Sequence, residues 1–289
     1  MTARQKLVNW SLFIGLSFIW GSSFILMKEG LRQLTDFQVA SVRILSAGLV
    51  LLPVAIKKIS AVRKADLGLI FLSGILGSFL PAYLFCIAET RIDSSLAGFL
   101  NAFTPIFTII IGILFFNNKM GHKLPGVIVG FAGMLMLFFG KDAGDPGQLA
   151  FSALVILAAL CYALNANVVS HRLQGTGSMA ITAIAMSLLI IPCGCILAAT
   201  GFFSLPLTHS GIVFSLGASA VLGLLGTALA TIMFYMLLKR AGPVFASMVT
   251  YGIPFIALFW GLMAGEQVNT LQIAGLIILL AGVYFATKQ

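Results

Sequence analysis

The chain has 289 residues, of which 60% are hydrophobic and only 9% charged, with a net charge of +9. A soluble domain carries about 25% charged residues, so a soluble enzyme or nucleic-acid-binding domain is excluded despite a pI near 9.7. Long continuous apolar runs, rather than alternation at every second residue, exclude a β-barrel and leave an all-α polytopic membrane protein.

A transmembrane helix needs about 20 apolar residues. Ten runs meet or approach that length, near 8–27, 37–56, 67–88, 94–116, 124–140, 149–169, 179–200, 212–237, 244–264 and 270–287. The first run is long enough to span and lacks a cleavage site, so it reads as a helix rather than a leader. Connections are short. Placing the N-terminus inside puts twelve Lys and Arg residues on inner segments and four on outer ones, and Arg43 falls within the second span. The positive-inside rule therefore predicts both termini to be cytoplasmic.

The chain resembles itself at a shift of 149 residues. Pairing 67–138 with 216–287 gives 15 identities, including Gly74/Gly223, Gly77/Gly226, Pro105/Pro254, Gly112/Gly261, Gly126/Gly275 and Gly133/Gly282. Matched glycines and prolines point to shared backbone geometry. Two five-helix repeats, 1–144 and 145–289, are predicted. Five is odd, so the second inserts upside down. Inverted repeats mark many secondary transporters, which bind substrate near the midplane. A passive channel or facilitator on the same scaffold is the alternative.

Trp20-Gly21-Ser22-Ser23-Phe24 opens the first span. Near the end come Pro254, Gly261, Gly265-Glu266, Leu271-Gln272, Gly275-Leu276-Ile277 and Ala281-Gly282-Val283-Tyr284. This pattern resembles the EamA-type carriers of the drug/metabolite transporter superfamily, along the whole chain. One departure is Asn117-Asn118, where the family's first half usually has Gly-Glu. The resemblance implies a bacterial inner-membrane carrier exporting amino acids or related small metabolites. It also implies a central cavity ringed by spans 1, 3, 4, 6, 8 and 9, with spans 5 and 10 peripheral.

Arg43 is the one basic residue well inside a span, about 10 Å from its end at 1.5 Å per residue. A charge at the centre of a span costs about 2.5–3.5 kcal/mol on insertion scales. It can attract a substrate carboxylate, or it can snorkel toward the interface. Polar and aromatic side chains form helical stripes: Asn101, Thr104 and Thr108; Thr227, Thr231 and Tyr235; Tyr162 and Asn165; Trp20 and Ser23. Tyr83, Thr250 and Tyr251 add to them. The predicted substrate-binding set is Trp20, Ser23, Arg43, Tyr83, Asn101, Thr104, Tyr162, Asn165, Thr227, Thr231 and Tyr251, which suits a zwitterion with an apolar side chain. Taken singly, each hydroxyl or amide reads rather as a helix-to-helix bond, and it is collectively that they predict a polar midplane cavity. Pro105 and Pro254 each remove a backbone hydrogen bond in mid-span, and as a matched pair they are predicted hinges.

No acid lies within a span interior, which favours facilitated exchange or uniport over proton coupling. Glu89 is the nearest titratable group, with pairing to Arg91 the plainer reading. His122, His171 and His209 are predicted in loops. Cys86, Cys161, Cys193 and Cys195 read as core thiols. There is no P-loop, metal signature or nucleophile–base pair, so neither an ATP-driven pump nor an enzyme is expected, and no cofactor. The predicted partners are a small-molecule metabolite and the lipid bilayer, without nucleic acid, and the chain is expected to be a monomer or weak homo-oligomer.

Overall fold

The computed structural model describes residues 2–118, 124–139, 148–206, 208–263 and 270–287. Lys119, His122, Lys123, Lys141, Asp142, Asp145, Gly265, Glu266 and Lys288 lie outside the described residues. Among the described residues every regular element is helical. Seven runs are long and apolar enough to cross a membrane: 3–31, 36–61, 64–88, 96–116, 149–172, 178–199 and 210–241. Three shorter apolar helices, Leu124–Met136, Pro243–Ile256 and Ile273–Ala286, fall where spans 5, 9 and 10 are predicted.

Helix α1 is Ala3–Leu31 and α2 is Asp36–Lys58. Both begin with a capping box; at α2 Thr35 and Gln38 bond reciprocally, at 3.3 and 3.1 Å. The third run is α3 (Lys64–Gly74), a π turn (Ile75–Phe79) and α4 (Leu80–Ala88). The fourth is α5 (Ser94–Asn101) and α6 (Thr104–Phe116). Then come α7 (Leu124–Phe139), α8 (Gln148–Arg172), α9 (Ser178–Leu188) and α10 (Ile190–Ala199). The eighth run is α11 (Ser210–Val221), a π turn (Leu222–Leu229) and α12 (Ala230–Ala241). The ninth is α13 (Pro243–Ser247), a 3₁₀ turn (Met248–Tyr251) and α14 (Ile253–Met263), and α15 is Thr270–Thr287.

The 149-residue shift carries one irregularity onto the other. It moves Ile75–Phe79 to 224–228, inside the second π turn. It moves the break at 102–103 to 251–252, where the ninth run is also broken. The glycines explain the π turns through close approach. A methyl on Gly77 would collide with Asn165, and one on Gly223 with the carbonyl of Arg43. Widening the helix by one residue at these points lets a neighbour enter.

The prolines act differently from expectation. Pro105 and Pro254 are each the second residue of a new helical segment. An N–H there has no intrahelical partner anyway. The helix is therefore interrupted just ahead of each proline, rather than kinked by a bond lost in its interior.

Packing pairs distant segments. The most extensive contact is α7 with α15, and α2 lies along α9 and α10. The first run packs on α11, α12 and α14; α8 packs on α4, α5 and α6. Glycines allow the α7–α15 approach, since Gly126 abuts Ala286, Gly133 abuts Leu279 and Gly282 abuts Gly130. Asn117, with φ +52°, ends α6 in the left-handed region that Asn tolerates.

Candidate functional site

The polar stripes converge on a cavity of about 710 Å³, counting its open mouth. Of the predicted residues, Trp20, Ser23, Arg43, Asn101, Thr104, Tyr162, Asn165 and Thr231 line it. Helix breaks position several of them. Thr104 opens α6, and its Oγ1 donates to the carbonyl of Asn101 at 2.7 Å across the break. Ile253, which opens α14, lines the facing wall. The second π turn leaves the Gly226 carbonyl to accept from Trp20 Nε1 at 3.1 Å.

Arg43 is the only charged side chain among the described residues that line the cavity, and it is 9% exposed. Its Nε donates to Thr227 Oγ1 at 2.7 Å. Among the described residues no carboxylate is within 4.0 Å of it. The guanidinium is held by a neutral hydroxyl. Asn165 lines the same cavity. Its Nδ2 donates to Tyr235 Oη at 3.1 Å, while its Oδ1 is buried with no donor. Tyr235 also shares a 2.8 Å hydrogen bond with Ser73. The rest of the wall is apolar, from Phe24, Met27, Phe85 and Phe234.

Three predicted residues are elsewhere. Thr227 stands behind Arg43 and holds it without lining the cavity. Tyr83 shares a 2.6 Å hydrogen bond with Ser41 and packs on Phe37 and Phe79, on the side of α4 facing α2. Tyr251 donates to the carbonyl of Val127 at 3.0 Å and is fully buried against α7. Ser247 and Gly77 line the cavity without having been singled out for it. Small residues carry little signal of their own; the glycine shift was the one clue to Gly77. Thr108 of the fourth-span stripe faces α8, where its carbonyl accepts from Asn167 at 3.0 Å.

Two further expectations need correction. Glu89 does not pair with Arg91, which is exposed. Its Oε2 accepts from Ser94 at 3.3 Å, and Oε1 is buried without a partner. His171 is in the last turn of α8 rather than a loop. Its Nδ1 is 2.9 Å from the Asn167 carbonyl and its Nε2 is 3.1 Å from Asn118 Oδ1. Asn118 thus meets an imidazole.

Helices long and apolar enough to cross a membrane surround a cavity whose one charged lining residue, among those described, is Arg43. The chain belongs to the EamA-like transporter family, whose pattern matches residues 10–139 and again 150–288. It is 25% identical over 295 residues to an uncharacterized inner membrane transporter, YedA, of Escherichia coli, covering 99% of this chain and 93% of that protein. It is 27% identical to an S-adenosylmethionine/S-adenosylhomocysteine transporter of Chlamydia trachomatis, over 87% and 80% of the two chains. A probable amino-acid metabolite efflux pump of Escherichia coli is 24% identical, over 93% and 82%. A solved crystal structure shares the fold with a TM-score of 0.74 at 12% identity, covering 99% of this chain and 97% of that one.

Proposed function

We propose that this protein is a secondary transporter that exports amino acids or related small metabolites across the bacterial inner membrane by alternating access. The observation that carries this reading is Arg43, a buried cation on a cavity wall with no carboxylate among the described residues within 4.0 Å. A substrate carboxylate docks on the guanidinium, an ammonium group faces Asn165 Oδ1, and the side chain rests among Phe24, Phe85 and Phe234. Two relatives whose names specify cargo concern amino-acid metabolites and S-adenosylmethionine, both of amino-acid chemistry.

The reading takes the ten apolar runs as ten spans, in two repeats of inverted topology at 1–144 and 145–289, with both termini cytoplasmic. The matched π turns and matched breaks support a duplicated half. So do the exchanged packing partners, where the first run sits on the eighth and ninth while α8 sits on the third and fourth. The protein works without catalysis, as a monomer or weak homo-oligomer.

Counterflow in proteoliposomes against a metabolite panel tests the reading. Saturable flux with trans-stimulation is the expected result; linear flux without it would mean a channel. Arg43→Gln should lower flux of a carboxylate-bearing substrate at least tenfold, the equivalent of one lost charge-assisted contact of about 1.4 kcal/mol. Equal flux in the variant would make Arg43 structural. Pro105 and Pro254 are the hinges of this cycle. Replacing either with alanine frees φ at the start of the second half-helix and should slow counterflow several-fold at equal expression. Normal flux in both single variants would remove the hinge.

A further inference from the structure

Glu89 caps the C-terminal end of α4, one turn beyond cavity-lining Phe85. It is 6% exposed. Residues 90–93 then lead into α5, which carries Asn101 into the cavity. The carboxyl thus sits under the connection between two runs that both build the site. Its environment is poor for a carboxylate. One oxygen has no donor, and the other has a single 3.3 Å bond from Ser94. The C-terminal end of a helix also carries partial negative charge, which opposes an anion.

The facing charges do not make up for this. Lys28 approaches from α1 but is 3.7 Å from Asp93, with which it shares its charge. Arg43 acts from α2 without touching Glu89, and Asp36 heads that same helix. Cys86 is the titratable neighbour on α4 itself. Helix α8 packs on α4 and α5 and has no titratable side chain over 148–158. Burial therefore dominates, opposed by Lys28, Ser94 and Arg43, and pushes the acid up to about 8.

We propose that Glu89 is a proton-binding site of the transporter, protonated while the 89–93 turn is packed down as seen here. When the turn lifts, water reaches the carboxyl, its O–H bond breaks and the proton passes to that water. Exporters driven by protons need such a group, and the span interiors provide none. The link to substrate movement rests on the alternating-access reading above; proton binding itself does not.

By linkage, a raised pKa makes the packed arrangement fully favoured below the ordinary value near 4.5. That preference is lost as pH rises through about 8. Between these values the ratio of packed to lifted turn falls by up to tenfold per pH unit.

Two measurements on the full chain in phosphatidylcholine vesicles test this without any substrate, so a wrong cargo assignment leaves them untouched. Infrared titration should show a protonated carboxyl that ionises near pH 8 and is missing from Glu89→Gln. A wild-type titration confined to the ordinary carboxylate range, or the same band persisting in Glu89→Gln, overturns the proposal. Amide exchange over residues 84–100 is then compared between wild type and Glu89→Gln at each pH, which cancels the intrinsic rates. The ratio should climb with pH until about 8; a flat ratio means the proton does not move the turn. If Glu89→Gln fails to insert, Ser94→Ala decides. Losing the hydroxyl that favours the charged form should raise the midpoint, and an unmoved midpoint rejects the site.

Discussion

At the end of the molecule where α8 and α12 finish, charged side chains tie separate helices together. Lys239 Nζ donates to the Leu173 carbonyl at 2.7 Å and also to that of Thr176, closing α12 onto the α8–α9 turn. Arg240 Nε donates to Asn9 Oδ1 at 3.0 Å, joining α12 to α1. Asp66 takes two 3.0 Å bonds from Arg63 and a 3.3 Å bond from Thr176, which brings α3 to the same turn. At the opposite end, Arg32 pairs with Glu29 within its own helix neighbourhood. Among the described residues the cross-helix ion pair at that end, Lys28 to Asp93, joins side chains 46% and 80% exposed. Bonds from a charged donor to partly buried carbonyls contribute about 1.5–3 kcal/mol, whereas exposed ion pairs contribute about 0–1 kcal/mol. The difference is one of charge: among the described residues charged donors join separate helices at the basic end, whereas the end with Glu89 beneath it relies on neutral bonds such as Gln38 to the Thr200 carbonyl and Ser215 to the Glu29 carbonyl.

Two substitutions bear directly on that contrast. The larger effect belongs to Lys239→Met, which keeps the aliphatic stem and removes the donor from the α8–α9 carbonyls. It should cost about 1.5–3 kcal/mol, read as a lowered Tm in detergent, and should raise solvent access near Thr176. An unchanged Tm would break the comparison. The smaller effect belongs to Asp93→Asn. Its loss should stay below about 1 kcal/mol and vanish in high salt. A fall in Tm as large as that of Lys239→Met would reverse the assignment of the two ends.

The sequence made the helical membrane class legible, and the repeat shift located irregularities that no periodicity could describe. Both π turns and both broken runs fall on matched glycines or prolines. Choosing faces was harder, for a reason rooted in those same irregularities. Thr227, Thr231 and Tyr235 share a face on a 3.6-residue helix, but Thr227 is inside the π turn, where the period is wider. The stripe therefore rotates, and Thr227 ends behind Arg43. In the ninth run a 3₁₀ turn tightens the period over Met248–Tyr251. Thr250 faces the cavity while its neighbour Tyr251 turns to α7. Tyr83 and Tyr162 are alike in kind, and only the packing of α4 against α2 and α8 separates them. Glu89 illustrates a different limit. Its charge was visible, but the orphaned oxygen was not, because burial depends on segments distant in the chain.

The glycine-lined seam between α7 and α15 bears on how the protein is made. Gly126, Gly130 and Gly133 present bare backbone to a partner that begins only at Thr270. During synthesis α7 emerges and must wait for more than a hundred further residues before that partner leaves the ribosome. Until then α7 can be covered by lipid, by α5 and α6, and later by the 3₁₀ turn Met248–Tyr251, whose Tyr251 packs on Gly130. Completing the seam is thus a late act of assembly, and a chain cut short before α15 would leave a groove along α7 in the bilayer.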